Sequence, residues 1–225
     1  MSLQPHILTE THLHTLQSSL CAHFSAEKIP ALYKKHGYGN IIITDHWNEN
    51  TLDQFAGDCH QKNRAWFQSF EILSEAAEKE NINVFLGMEI RLNDCPEDYL
   101  IYGITFDFIK EYPDLYRCDV KKLFSVIDSA GFLLYQAHPF RGYLDVQPPE
   151  FLHGIEVYNA NTSHINENKK AKQYAKKHKL LQIAGSDFHH YDMVAKAGIY
   201  LPSDIKTNKQ LVDYLKNGEV QLYIK

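Results

Sequence analysis

The sequence predicts an α/β fold of βα units around a largely parallel sheet, and three observations carry that reading. Apolar, β-branched runs recur along the chain, with amphipathic segments of helical period between them. Some of these runs, such as Asn40-Ile41-Ile42-Ile43, are apolar without alternation, as in strands covered on both faces. The polar residues that end the runs are mostly histidine, aspartate and glutamate, placed where the C-terminal ends of barrel strands would gather them. No Pro/Gly/Ser-rich linker, composition break or internal repeat divides the 225 residues. One domain over 1–225 is therefore expected, with a motif-bearing core at about 6–190 and a C-terminal helix and strand at 205–225.

The first strand is His6-Ile7-Leu8, leading into Thr9-Glu10-Thr11-His12-Leu13-His14-Thr15. Strand alternation sets His12 and His14 on one side and Leu13 on the other. A helix is expected over 25–37, with Ser25 as N-cap, Ile29, Leu32 and Tyr33 at helical spacing, and Gly37 as its stop. The second strand starts at Asn40 and ends in Thr44-Asp45-His46. Residues 50–62 read as a loop and 62–80 as a long helix with Phe67, Phe70, Leu73 and Ala77 on one side. The third strand, 82–90, carries Glu89 near its end, and 99–104 is the fourth. Val120, Leu123, Phe124 and Ile127 form a helical stripe closed by Gly131, and the fifth strand, 132–139, delivers His138. The sixth is 154–159. A lysine-rich helix at about 163–178 precedes the seventh, 180–190, which ends in Asp187 and His189. A short helix at about 207–216 and an apolar segment at 220–224 follow.

Composition narrows the function. A net charge of −5 argues against broad nucleic-acid binding. Four scattered cysteines with no C-x-x-C suggest neither a zinc ribbon nor a disulfide framework. With no spanning apolar run and no signal-peptide core, a cytoplasmic location is expected. Asn161-Thr162-Ser163 matches a glycosylation acceptor and, without a secretory signal, reads as incidental. Thirteen histidines are the unusual feature.

His12, His14, His46, Glu89, His138, Asp187 and His189 offer imidazole nitrogens and carboxylate oxygens and no thiolate. Mixed N/O sets suit zinc, manganese or iron in hydrolytic sites, whereas structural zinc usually recruits cysteine. The set exceeds the needs of one ion, so two or more divalent ions sharing a carboxylate are expected, with Glu89 as the bridge. The series His12-x-His14, Thr44-Asp45-His46, Gly87-x-Glu89, His138-Pro139 and Ser186-Asp187-x-His189 resembles the PHP (polymerase and histidinol phosphatase) superfamily, in the family's order and over most of the chain. The flanking wording is similar to stand-alone PHP-domain proteins. The resemblance implies a distorted seven-stranded β/α barrel with two or three metals, usually hydrolysing phosphoesters. It implies that His12, His14, Glu89 and Asp187 surround a first ion, that Glu89 and His138 hold a second, and that His46 and His189 hold a third with a further ligand from the first loop. His23, in Cys21-Ala22-His23, is the candidate for that ligand. The family often has a histidine where this chain has Asp98-Tyr99-Leu100, and Tyr99 is expected to take that place in an orienting role.

Other residues are weighed singly. Arg141 is expected to contact substrate, being able to fork onto a phosphate. Tyr158, with Asn159 at the end of the sixth strand, is a second substrate-binding candidate. Asp45 reads as orienting a ligating histidine rather than binding metal itself. Glu89 and Asp187 stand at the catalytic centre, with His190 as a candidate acid. His6, His36, His60, His153, His164 and His178 have no matching position. The lysine run from Lys169 to Lys179 reads as a solvated outer helix face. The expected activity is hydrolysis of a small-molecule phosphoester by a metal-activated water. The alternatives are a nucleotide phosphodiesterase or exonuclease, and a non-catalytic metal-binding regulatory module.

Overall fold

The computed structural model describes residues 5–217 and 220–225. Its strands are β1 (His6–Glu10), β2 (Tyr38–Ile43), β3 (His46–Trp47), β4 (Asn83–Arg91), β5 (Asp98–Tyr102), β6 (Leu133–Gln136), β7 (Gly154–Asn159), β8 (Leu181–Gly185), β9 (Ala197–Pro202) and β10 (Gln221–Ile224). The helices are α1 (Ile29–Lys34), α2 (Glu49–Leu52), α3 (Cys59–Lys79), α4 (Phe106–Glu111), α5 (Val120–Ser129), α6 (Asn168–His178) and α7 (Asn208–Lys216). The sheet runs β10-β9-β1-β2-β4-β5-β6-β7-β8, with β3 extending the β4 edge. It curls into a nearly closed barrel. The segments beyond β1 and β8 meet in a parallel bridge between Leu13 and Phe188, where Phe188 N–H donates to the His12 carbonyl and His14 N–H to the Phe188 carbonyl, both at 3.2 Å.

The expected α/β barrel is the observed one, with two differences in its make-up. β5 is antiparallel to both β4 and β6, and β9 is antiparallel to β1, so the parallel set is interrupted twice. β9 itself was not foreseen. Its Gly198 weakens the strand pattern, yet a Cβ there would lie 2.3 Å from the Thr9 carbonyl, so the tight pairing with β1 requires glycine. Boundaries move for local reasons. α3 starts at Cys59 rather than 62 because Asp58 and Gln61 form a capping box. α6 starts only at Asn168, after Glu167 takes a left-handed conformation.

Two clusters fill the interior. One gathers Ile42, Phe85, Leu100, Tyr102, Leu133, Tyr135 and Ile183 from a single face of the sheet, closed by Leu211, Val212 and Leu215 of α7. Glu89 pairs across the sheet with Leu100, and cross-strand partners share a face, so Glu89 sits at the end of this inward face. The other cluster packs α1, α3 and α5 against the outer face. No helix among the described residues is long and apolar enough to cross a membrane.

Candidate metal centre

The site is assembled where β1, β2, β4, β6 and β8 end, and its foundation is Glu10. This carboxylate is fully buried. It accepts hydrogen bonds from the backbone N–H groups of Thr11, His12 and Ser186 at 2.9, 3.0 and 2.9 Å, and from the Tyr33 hydroxyl at 2.9 Å. It thereby ties the end of β1 to the end of β8 and fixes the backbone of both ligand-bearing segments. Beyond the strand ends the chain turns sharply. His138 (φ 30°) and Asp187 (φ 50°) both occupy the left-handed region that non-glycine residues seldom enter. Such backbone is retained where the surroundings over-determine it. Here it aims both side chains over the barrel mouth.

Glu89 is the hub. Its Oε1 lies 3.2 Å from His12 Nε2 and 3.2 Å from His138 Nε2, and its Oε2 lies 3.3 Å from His14 Nε2 and 2.8 Å from His46 Nδ1. Asp187 Oδ1 adds approaches of 3.5, 3.5 and 3.3 Å to His12, His14 and His189. Among the described residues, three groups bring ligand atoms within 4.8 Å of one another: His12, His14 and Asp187; His14, His46 and His189; and His46, Glu89 and Asp98.

The hydrogen bonds behind the rings set their tautomers. His12 Nδ1 lies 2.9 Å from Glu156 Oε1, a buried carboxylate that also accepts from the His138 N–H and from Asn159 Nδ2. His14 Nδ1 lies 3.2 Å from Ser19 Oγ, which in turn donates to Asp45 Oδ1 at 2.8 Å. Each ring thus directs its Nδ1–H outward and its Nε2 into the site, the arrangement that orients a metal-binding imidazole. The buried His12 Nε2, His14 Nε2 and Glu89 Oε2 have no hydrogen-bond partner among the described residues. Buried polar atoms without partners are costly. These converge on one another at contact distance, without hydrogen-bond geometry, and a cation between them would satisfy all three. The donor set fits a divalent metal.

The electrostatics agree. Burial alone would push the Glu89 carboxyl up, but the charges of His12 and His46 overcome it and hold it well below the usual carboxylate range. Asp187 is depressed in the same way, by His12 and by the close approach of His14 and His189. Burial opposes charge on His12 and His46, yet Glu156 and Glu89 push His12 well up and Glu89 pushes His46 up. His14 goes the other way, held down by burial and by the neighbouring His46 and His189. The carboxylates therefore attract positive charge into the cluster, as protons or as a metal.

A cavity of about 340 Å³ opens over the cluster, lined by Glu89, Asp187, His46 and His189 and also by Cys21, Arg91, Arg141, His164 and His190. A second, of about 310 Å³, shares Arg91, Asp98, His138, Arg141 and His164 and continues outward to Tyr143 and Ile165. A larger space of about 620 Å³ lies at the opposite strand ends, beside Tyr38 and Asn83, away from all of these groups.

Not every expected residue reaches the cluster. Tyr99 pairs with Ile90 on the face away from Glu89, and its hydroxyl lies 3.5 Å from Cys95 Sγ. The antiparallel register sets Asp98 opposite Arg91, so Asp98 is the residue this strand presents to the site, 3.8 Å from His138 Nε2. In β7 the register slips between Glu156 and Tyr158, and the extra residue puts Asn159 rather than Tyr158 on the face of Glu156. Asn159 accordingly bonds Glu156, Asp187 and Arg141, and Tyr158 has no part in these contacts. His23 is exposed, with its Nδ1 3.1 Å from His190 Nδ1. Its neighbour Cys21 borders the cavity instead. Arg141 donates to Asp187 Oδ2 at 2.7 Å and to Asn159 and Asn166, so it braces Asp187 as well as lining the cavity. Asp45 holds Thr15 and Ser19, as an orienting residue would. Glu156, Asp98 and Cys21 escaped the sequence reading, as did His164. Glu156 had a signal, being a lone carboxylate inside an apolar strand.

Comparison with known proteins bears on this geometry. Residues 166–220 match the PHP-associated family model. The fold matches a two-domain protein from Bacteroides vulgatus containing a predicted PHP-like metal-dependent phosphoesterase, with a TM-score of 0.67 and 19% identity over 98% of this chain and 65% of that one. The likeness to the PHP-associated family is thus confined to the C-terminal quarter of the chain, and the likeness of the whole fold is to a PHP-like protein. PsfC from Pseudomonas syringae gives a TM-score of 0.65 at 14% identity, over 98% of this chain and 92% of that one. An amidohydrolase from Chromobacterium violaceum, with bound sulfate and no metal, gives 0.55 at 15% identity over 96% and 97%. At these identities the structural likeness is one of fold. Comparison with curated protein sequences gives no match.

Proposed function

We propose that this chain is a PHP-superfamily metal-dependent hydrolase, specifically a phosphoesterase acting on a small phosphorylated molecule by direct attack of water. The observation that carries the reading is the convergence of His12, His14, His46 and His138 on the two oxygens of a single buried carboxylate, Glu89. Glu89 would bridge two ions, Asp187 would share one of them, and His189 would complete the outer side. Bound divalent ions supply Lewis-acid charge to phosphoryl oxygens and acidify water.

The chain's own residues do the rest. Arg91 is held by a two-pronged pair to Asp98, through Nε at 2.7 Å and Nη2 at 2.5 Å, and Arg141 is anchored through Nε and Nη2. Neither set of bonds uses Nη1, so both guanidinium groups keep donors for a phosphate in the cavity they line. His190 and His164 border the cavity over the cluster, which both arginines also line, and either would give a proton to the leaving oxygen. The amidohydrolase likeness supports the broader hydrolase reading, and the paired arginines favour a phosphoester.

The test is phosphate release across a panel of phosphomonoesters, phosphodiesters and short oligonucleotides, with manganese, zinc or iron supplied. Monoester turnover is expected. Folded, metal-loaded protein that releases phosphate from nothing in the panel would refute the phosphoesterase reading.

A further inference from the structure

Between β6 and the turn at Pro149–Phe151, residues 137–148 form neither strand nor helix, yet they are fixed at two points. At the near point the Arg141 side chain is anchored to Asn159, Asn166 and Asp187, and Arg141 N–H donates to the His138 carbonyl at 3.0 Å. At the far point two buried side chains grip the backbone of Asp145. Asp145 N–H donates to Glu97 Oε1 at 3.0 Å, and the Asp145 carbonyl accepts from Gln136 Nε2 at 2.7 Å. Gln136 Oε1 also accepts the Gln147 N–H at 2.9 Å. Glu97 lies on the connection into β5, and its other oxygen accepts from the Cys95 thiol. Gly142, Tyr143 and Leu144 span the two fixed points, and all three line the outer cavity of about 310 Å³. Pro96, the residue before Glu97, and Ile165 face the same space. Tyr143 and Ile165 are 85% and 78% exposed, large apolar side chains left open beside Arg91, Asp98 and His138.

We propose that residues 142–144 form one wall of a leaving-group subsite that takes an apolar, ring-sized group, and that Glu97 is the positioning residue that holds this wall. The phosphoryl group occupies the inner cavity over Glu89 and Asp187, and the lining that the two cavities share joins it to the outer one. A wall already held in place is not ordered at the ligand's expense, and such pre-organisation strengthens binding. Arg141 keeps its own anchors when Glu97 is lost. The loss therefore falls on the part of a ligand that reaches Tyr143 and not on its phosphoryl group. The inference rests on the phosphoesterase reading above for the place of the phosphoryl group, and adds to it the class of leaving group.

Methylphosphonate and phenylphosphonate serve as non-hydrolysable probes, titrated by calorimetry into the metal-loaded full chain. Wild type is expected to bind phenylphosphonate the more tightly. Glu97→Ala should weaken phenylphosphonate by about tenfold and leave methylphosphonate within about twofold, with metal content unchanged. Glu97→Gln keeps an acceptor for the Asp145 N–H and should restore phenylphosphonate binding to near the wild-type affinity. Tyr143→Ala, at an exposed position, should show the same selective loss, and it carries the test if Glu97→Ala does not fold. Equal weakening of both probes, weakening of neither, or no preference for the phenyl group in wild type would overturn the inference. A Glu97→Gln variant as weak as Glu97→Ala would also overturn it. Phenyl phosphate that is bound but not turned over, with the selective effect on phenylphosphonate intact, would overturn the phosphoesterase reading and leave the subsite standing. Folded, metal-loaded wild type that binds neither phosphonate would overturn both.

Discussion

Replacing Glu156 by glutamine tests whether the residues behind the rings set up the metal centre. Glu156 Oε1 faces His12 Nδ1 at 2.9 Å, while Oε2 accepts from the His138 N–H at 3.0 Å and from Asn159 Nδ2 at 2.8 Å. A glutamine has one acceptor oxygen to meet donors on both sides. If its oxygen stays on His12, its NH2 faces two N–H donors in a buried site, and each unsatisfied group costs about 1–3 kcal/mol. Turning the Asn159 amide does not help, because its Oδ1 already accepts from Arg141 and from the Asn161 N–H. If the glutamine turns round instead, its NH2 meets His12 Nδ1 and forces the proton to Nε2, the nitrogen aimed at Glu89. Loss of such an outer partner typically costs about 10- to 100-fold in metal affinity, or about 1.4–2.8 kcal/mol. The assay pairs a competitive titration against a chelating dye with thermal melting in chelator, where each kcal/mol corresponds to roughly 2–4 °C in a chain of this size. Affinity within twofold of wild type together with an unchanged melting temperature would refute the reasoning.

Two further outcomes follow from the same geometry. Gly185→Ala places a Cβ 2.4 Å from the His12 Cβ and 2.9 Å from Glu156 Oε1, so it should displace His12, costing about 1–3 kcal/mol of stability as well as metal affinity; unchanged melting and titration would show that the contact is relieved elsewhere. The pH dependence has a definite sign. Burial opposes charge on His189, but Asp187 and Cys21 raise it from 6.5 to about 10, so in the metal-free protein its contribution is full below about pH 6.5 and is lost as pH rises through 10. Metal must displace such protons, so affinity should rise with pH and binding at neutral pH should release protons, measured by calorimetry in buffers of different ionisation enthalpy.

Much of this architecture was legible in the sequence because strand periodicity and strand-end chemistry are local. His12 and His14 share a side, and Glu89 ends an apolar run, whatever the neighbouring strands do. What failed depended on pairing between strands. Whether Asp98 or Tyr99 faces the site is set by the antiparallel register of β5 on β4. Whether Tyr158 or Asn159 does is set by a bulge against β8. Cys21 and His23 are two residues apart in a loop whose fastening to His46 and His189 leaves no trace in residue spacing. β9 was hidden by the glycine that its partner strand requires.

The central claim, that Glu89 joins these histidines into a divalent-metal centre, is tested most directly by elemental analysis of protein purified without chelator, wild type beside Glu89→Ala, with circular dichroism to establish that both are folded. Two or more equivalents of divalent metal in wild type, and their loss in the folded variant, are predicted. Metal retained in folded Glu89→Ala, or none in folded wild type even after zinc and manganese are supplied, would contradict it.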